Sequence, residues 1–65
     1  MINQEERIYR LAEQVANEMR ENGFYDRDKV KKMIELADRF GMDIYFDDEY
    51  IMVEDELFRF FPVVD

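Results

Sequence analysis

Apolar residues recur three and four positions apart through roughly the first forty residues of this chain, then switch to every second position. The first regime is that of amphipathic helices and the second that of half-buried strands. Ile8, Leu11, Ala12, Val15 and Met19 share one helical face. Asn3 with Glu6 three residues later makes a capping box, in which each side chain satisfies an orphan amide. Asn22-Gly23 supplies the stop, because glycine takes the left-handed conformation a helix end needs. A helix over residues 3–22 follows. Phe24 and Tyr25 bridge to Asp26, the expected second N-cap, with Asp28 placed at the positive end of the helix dipole. Val30, Met33, Ile34, Ala37 and Phe40 form the buried stripe of a helix over 26–40, with Leu36 at its edge, and Gly41 ends it. So short a connection predicts an antiparallel helical hairpin.

Beyond Gly41 the chain echoes itself. Phe46-Asp47-Asp48-Glu49-Tyr50-Ile51 and Val53-Glu54-Asp55-Glu56-Leu57-Phe58 each read as one apolar residue, three acids and two apolar residues. Both are expected to be acidic turns between strands, giving a three-stranded antiparallel meander over 42–61. Pairing Phe46 with Ile51 and Val53 with Phe58 puts Ile44, Phe46, Ile51, Val53, Phe58 and Phe60 on the face that covers the helices. Asp43, Tyr45, Met52, Glu54 and Arg59 then fall on the open face, with Tyr50 at the turn. Neither turn has the Gly or Asn of a two-residue hairpin, so four-residue loops on type I turns are expected. A rival reading makes Asp55 an N-cap and 56–61 a short helix stopped by Pro62. Residues 63–65 either fray or lie along an edge. The expected fold is α+β, one domain over residues 1–65 with the order ααβββ. Phe40, Phe46, Phe58 and Phe60 are expected in its core.

Charge alters this picture at the C-terminal end. Residues 1–42 hold nine acids and eight bases, whereas residues 43–65 hold eight acids and one base, Arg59; the net charges of −1 and −7 sum to the chain's −8. Two exposed carboxylates about 6 Å apart repel by roughly 0.7 kcal/mol in water before salt screening. Folding has no use for that repulsion, whereas a cationic partner surface relieves it. A simpler account also exists: acids keep turns wet and sheet edges apart. Solubility, however, is served by mixed signs, which this segment lacks.

The chain has no Cys, His, Ser, Thr or Trp. Disulfides, thiolate and hydroxyl nucleophiles, imidazole bases and ordinary zinc sites go with them, so no enzyme activity and no cofactor are expected. Residues 43–54 set acids at positions 1, 5 and 12 of a calcium-loop frame, but Tyr45 stands at position 3 and Asp48 where the turn needs glycine, so no metal site is expected. Arg27, Lys29, Lys31 and Lys32 alternate with Asp26, Asp28 and Glu35 and read as a solvated helix face. Net negative charge argues against direct binding to nucleic acid or anionic lipid. No apolar run approaches a membrane span or a secretory signal, so a cytoplasmic location is expected. The candidate partner-binding residues are Asp43, Tyr45, Asp47, Asp48, Glu49, Tyr50, Met52, Glu54, Asp55 and Glu56; Tyr and Met are favoured anchors at interfaces.

In size and charge, along its whole length, the chain resembles phage-encoded inhibitors of host nucleic-acid enzymes, the DNA-mimicking anti-CRISPR and anti-restriction proteins among them. The resemblance implies a stoichiometric binder, acting in the host cytoplasm, that occupies the cationic groove of a nucleic-acid-binding protein such as a CRISPR or restriction complex. The alternative is a small scaffold, antitoxin or regulatory subunit that pairs with itself or another protein through an apolar surface, either the first helix or the open sheet face. Monomer and homodimer are both compatible with the sequence.

Overall fold

The computed structural model describes residues 4–55 and 58–64. Two helices, α1 (Gln4–Asn22) and α2 (Arg27–Arg39), precede three strands, β1 (Asp43–Phe46), β2 (Tyr50–Glu54) and β3 (Phe58–Pro62). The strands form one antiparallel sheet in the order β1-β2-β3. The α+β reading in the order ααβββ is thus what the chain adopts. Asn3, the expected cap of the first helix, and Glu56, within the second acidic turn, lie outside the described residues.

Each helix ends as its sequence dictates. Gly23, at φ 78°, donates its N–H to the Met19 carbonyl at 3.0 Å and turns the chain out of α1. Asp26 caps α2, its carboxylate accepting from the Asp28 N–H at 2.9 Å. At the far end Gly41, at φ 70°, donates to the Asp38 carbonyl, and Met42 donates to that of Ala37 at 2.8 Å. These paired bonds are a Schellman closure, completed by burial of Met42 against the core. Glu18 ties the hairpin together, accepting from Lys29 Nζ at 2.9 Å and from the Asp26 N–H at 3.2 Å.

The core lies between the two helices and one face of the sheet. Ile8, Ala12, Val15 and Ala16 from α1 meet Met33, Leu36 and Ala37 from α2, and both close over Ile51 and Val53 of the central strand. Ala12 and Ala16 leave room for close helix packing. Ile8, Val15, Met33 and Val53 are the largest fully buried side chains, each contributing about 1.5–3 kcal/mol of transfer free energy. The stripe on α2 is rotated from the expected one. Leu36 is buried, while Ile34 and Phe40 are 47% and 44% exposed, because Val30, Met33 and Ala37 centre the contact and leave Ile34 on the flank beside β1.

The first hairpin has the expected register, Phe46 opposite Ile51 and Ile44 opposite Val53. The Asp47 N–H donates to the Tyr50 carbonyl at 2.9 Å, closing the turn. The second hairpin does not. Glu54, not Val53, stands opposite Phe58, so the loop holds three residues rather than four. A one-residue slip sends every side chain to the other face. Phe58 and Phe60 therefore lie on the open face, 60% and 54% exposed, and Arg59 and Phe61 face the helices. Residues 58–62 are strand, which excludes the rival short helix. Phe46 is also 52% exposed, since it stands on the edge strand next to the turn. None of the four phenylalanines expected in the core is in it. Val63 does not fray: it is buried and donates its N–H to the Glu49 carbonyl at 2.9 Å, extending the register of β3.

Candidate protein-interaction face

β2 sits centrally, so its alternate side chains divide the candidate residues between two surfaces. Ile51 and Val53 go to the core, and Tyr50, Met52 and Glu54 to the open face. Antiparallel pairing then aligns rows across the sheet. Tyr45, Met52 and Phe60 form one row, and Asp43, Glu54 and Phe58 the next. Tyr50 meets Phe60 edge to face, ring centroids 5.1 Å apart, a contact worth about 0.5–1.5 kcal/mol. Tyr45 is 48% exposed, and with Phe58 and Phe60 it makes the face rich in exposed aromatic rings.

The face is anionic as well as apolar. Asp43 and Glu54 are direct cross-strand neighbours, an arrangement of like charges that opposes pairing. Their field, Glu54 first and then Asp43, raises the Tyr45 phenol above its ordinary pKa, helped by its hydrogen bond to Glu54. Asp43 and Glu54 make no ion pair among the described residues. The tail's one base is elsewhere. Arg59 lies on the helix side with its guanidinium 4.3 Å from the centre of the Tyr9 ring, not on the open face where alternation had placed it.

The acidic turns occupy opposite ends of the sheet. Five residues of β2 lie between them, so Glu49 and Asp55 are about 20 Å apart along the strand. At one end Asp47, Asp48 and Glu49 are exposed, the Asp47 carboxylate accepting the Glu49 N–H at 3.3 Å. At the other, Asp55 turns towards α1 and accepts a hydrogen bond from the Tyr9 hydroxyl. Tyr9 also stacks on Phe61, centroids 6.4 Å apart. Burial, then the Asp55 hydrogen bond and charge, raise its phenol pKa. Asp55 therefore serves the fold.

Thus the structure brings Asp43, Tyr45, Tyr50, Met52 and Glu54 onto one face, sets Asp47, Asp48 and Glu49 at one end of it, and draws Asp55 away. It adds Phe58 and Phe60, which sequence reasoning assigned to the core. The consecutive pair Phe60-Phe61 carried the ambiguity: either ring satisfies an alternating pattern, and only loop length decides between them. No group of three or more His, Cys, Asp or Glu side chains able to hold a metal occurs among the described residues, and no helix among them is long and apolar enough to cross a membrane.

No family model matches the chain, and no curated protein or solved structure is significantly similar to it. The face has to be interpreted from its own chemistry.

Proposed function

We propose that this chain is a non-enzymatic inhibitor that binds a basic, nucleic-acid-binding protein in the cytoplasm through the open face of its sheet. The observation that carries this reading is the composition of that face: Tyr45, Tyr50, Met52, Phe58 and Phe60 with Asp43 and Glu54, and no cation from any strand. Aromatic side chains supply contact area at low entropic cost, and carboxylates on a rigid sheet take the place of phosphates opposite Arg and Lys. Counterion release on binding a cation-lined surface makes the affinity fall with salt.

The exposed aromatic row also favours a second reading, in which an apolar protein partner or a second copy covers the face and the acids merely confer solubility. Salt separates the two. The test is the retention of partners by immobilised wild-type protein and by a variant carrying Asp43→Asn, Asp47→Asn, Asp48→Asn and Glu54→Gln, at low and at high salt. The expected result is a folded variant, as stable as wild type or more so, that loses a nucleic-acid-binding partner which wild type releases in high salt. Retention by both proteins at both salt concentrations overturns the proposal and supports the apolar reading, as does a homodimer in light scattering.

A further inference from the structure

The two outer strands of the sheet present their backbones differently. The bond from Asp47 N–H to Tyr50 carbonyl fixes the phase of the β1-β2 ladder. Hydrogen-bonded and non-hydrogen-bonded pairs alternate in such a ladder, so Asp43 and Tyr45 bond inward to β2 while Ile44 and Phe46 aim both N–H and C=O away from the sheet. Among the described residues, no backbone partner meets those four groups. The same reasoning, from the Val63 N–H on the Glu49 carbonyl, points Phe58, Phe60 and Pro62 outward on β3. There Pro62 has no N–H to offer, and its carbonyl accepts from the Arg20 guanidinium. Proline and an occupied acceptor are devices that blunt a sheet edge. β1 has neither.

Beside the bare edge runs a groove of about 240 Å³ between α2 and β1, lined by Ile34, Ala37, Met42, Ile44 and Phe46 with the acids Asp38 and Asp43. Ile34 and Phe46, 47% and 52% exposed, form its lips. A strand added to β1 directs every second side chain to the level of Ile44 and Phe46, and so into this groove. The intervening side chains emerge on the other face. Asp43 and Asp47 stand at the two ends of the edge, and Asp38 and Asp43 line the groove.

We propose that β1 takes up an extended peptide segment of another protein as a fourth, antiparallel strand, with the pattern cation, apolar, any residue, apolar, cation. The two apolar residues exchange backbone hydrogen bonds with Ile44 and Phe46 and fill the groove beside α2. The flanking cations stand opposite Asp43 and Asp47. Charge selects this occupant over a second copy of the chain. Two β1 strands paired antiparallel, with Ile44 of each against Phe46 of the other, set Asp43 of one copy against Asp47 of the other at both ends, and like charges opposed across strands are destabilising. Main-chain bonds supply affinity in this mode of recognition, and the side-chain pockets supply specificity. The site shares Asp43 and Asp47 with the proposed function, but its backbone edge and groove lie beside the open face and not on it, so failure of strand addition at Ile44 and Phe46 leaves the proposed function standing.

The probe is the synthetic peptide acetyl-Lys-Val-Thr-Val-Lys-amide, titrated into the full chain and followed by amide chemical shifts and hydrogen exchange. Saturable shifts and slowed exchange are expected at Ile44 and Phe46. N-methylation of both valines removes the two amides that face β1 and is expected to weaken binding about tenfold or more, as the loss of two hydrogen bonds does. N-methylation of the threonine, whose amide faces away, is expected to change it little. Replacing both valines by glycine, and separately Ile34→Ala at its half-exposed helix position, each weakens binding through the groove. The proposal is overturned by the absence of shifts, by shifts centred on Met52 and Phe60, by equal effects of the two methylation patterns, by undiminished binding of the glycine peptide, or by a dimer in sedimentation whose Ile44 and Phe46 amides exchange slowly before any peptide is added.

Discussion

Glu54 stands opposite Phe58 across the second hairpin, and that pairing decides which of two adjacent phenylalanines meets the helices. Phe61 turns inward to stack on Tyr9, and Phe60 turns outward to meet the edge of Tyr50. The two rings are neighbours in sequence with opposite duties. Phe61→Ala is expected to cost about 2–3 kcal/mol, near the lower end for a large-to-small change because the site is only partly buried. Phe60→Ala is expected to cost no more than about 1 kcal/mol, the worth of an aromatic edge contact. Urea unfolding of both variants measures the difference, and equal losses contradict the register.

Tyr9 joins α1 to the second hairpin through the Asp55 carboxylate, the Arg59 guanidinium and the Phe61 ring. Its phenol is raised above the ordinary 10.0, and Tyr45 is raised in the same direction. A phenol that holds its proton more tightly when folded contributes stability that is complete below pH 10.0, and that is lost as pH rises through the folded value. Stability is therefore expected to decline in alkali from about pH 10 upward. Tyr9→Phe is expected to reduce both the stability at neutral pH, by about 1 kcal/mol for the lost hydrogen bond, and the steepness of the alkaline decline. Unfolding midpoints collected across the alkaline range check both.

Glu18 shows the opposite sign. Its hydrogen bond from the Lys29 ammonium, and then that from the Asp26 N–H, lower its carboxyl pKa below the ordinary 4.5. That contribution is complete above pH 4.5 and is lost as pH falls through the folded value. Lys29→Met is expected to move the Glu18 titration back towards 4.5, read from its side-chain carboxyl resonance, with little change in stability, as for other solvent-accessible ion pairs. A titration unmoved by the substitution refutes the assignment of cause.

How far the sequence led depended on how many independent signals marked each element. α2 carried a capping Asp26, an apolar stripe and a closing Gly41, and it begins and ends within a residue of expectation. The first turn, flanked by Phe46 and Ile51, had one good solution. The second had two, because Val53 or Glu54 can face Phe58 with apolar residues left to alternate in either case. The deciding quantity, a three-residue rather than a four-residue loop, has no side-chain signature in Asp55, Glu56 and Leu57. The same step hid half of the candidate face. The acids were legible as charge and as turns, but their division between the two ends of the sheet followed only from the strand order. Ile34 was misplaced for another reason: a stripe drawn on a helix has two flanks, and the sequence does not say which one a neighbouring strand leaves uncovered.

Pro62, with its carbonyl held by Arg20, limits how far this sheet can be extended. Edge-to-edge growth into a filament requires two complementary borders, so that each unit added offers a fresh template for the next. Here one border is receptive and the other is interrupted at its end. Recruitment through β1 is thereby terminal: it yields a closed, one-to-one assembly, and the receptive border does not become a seed for aggregation.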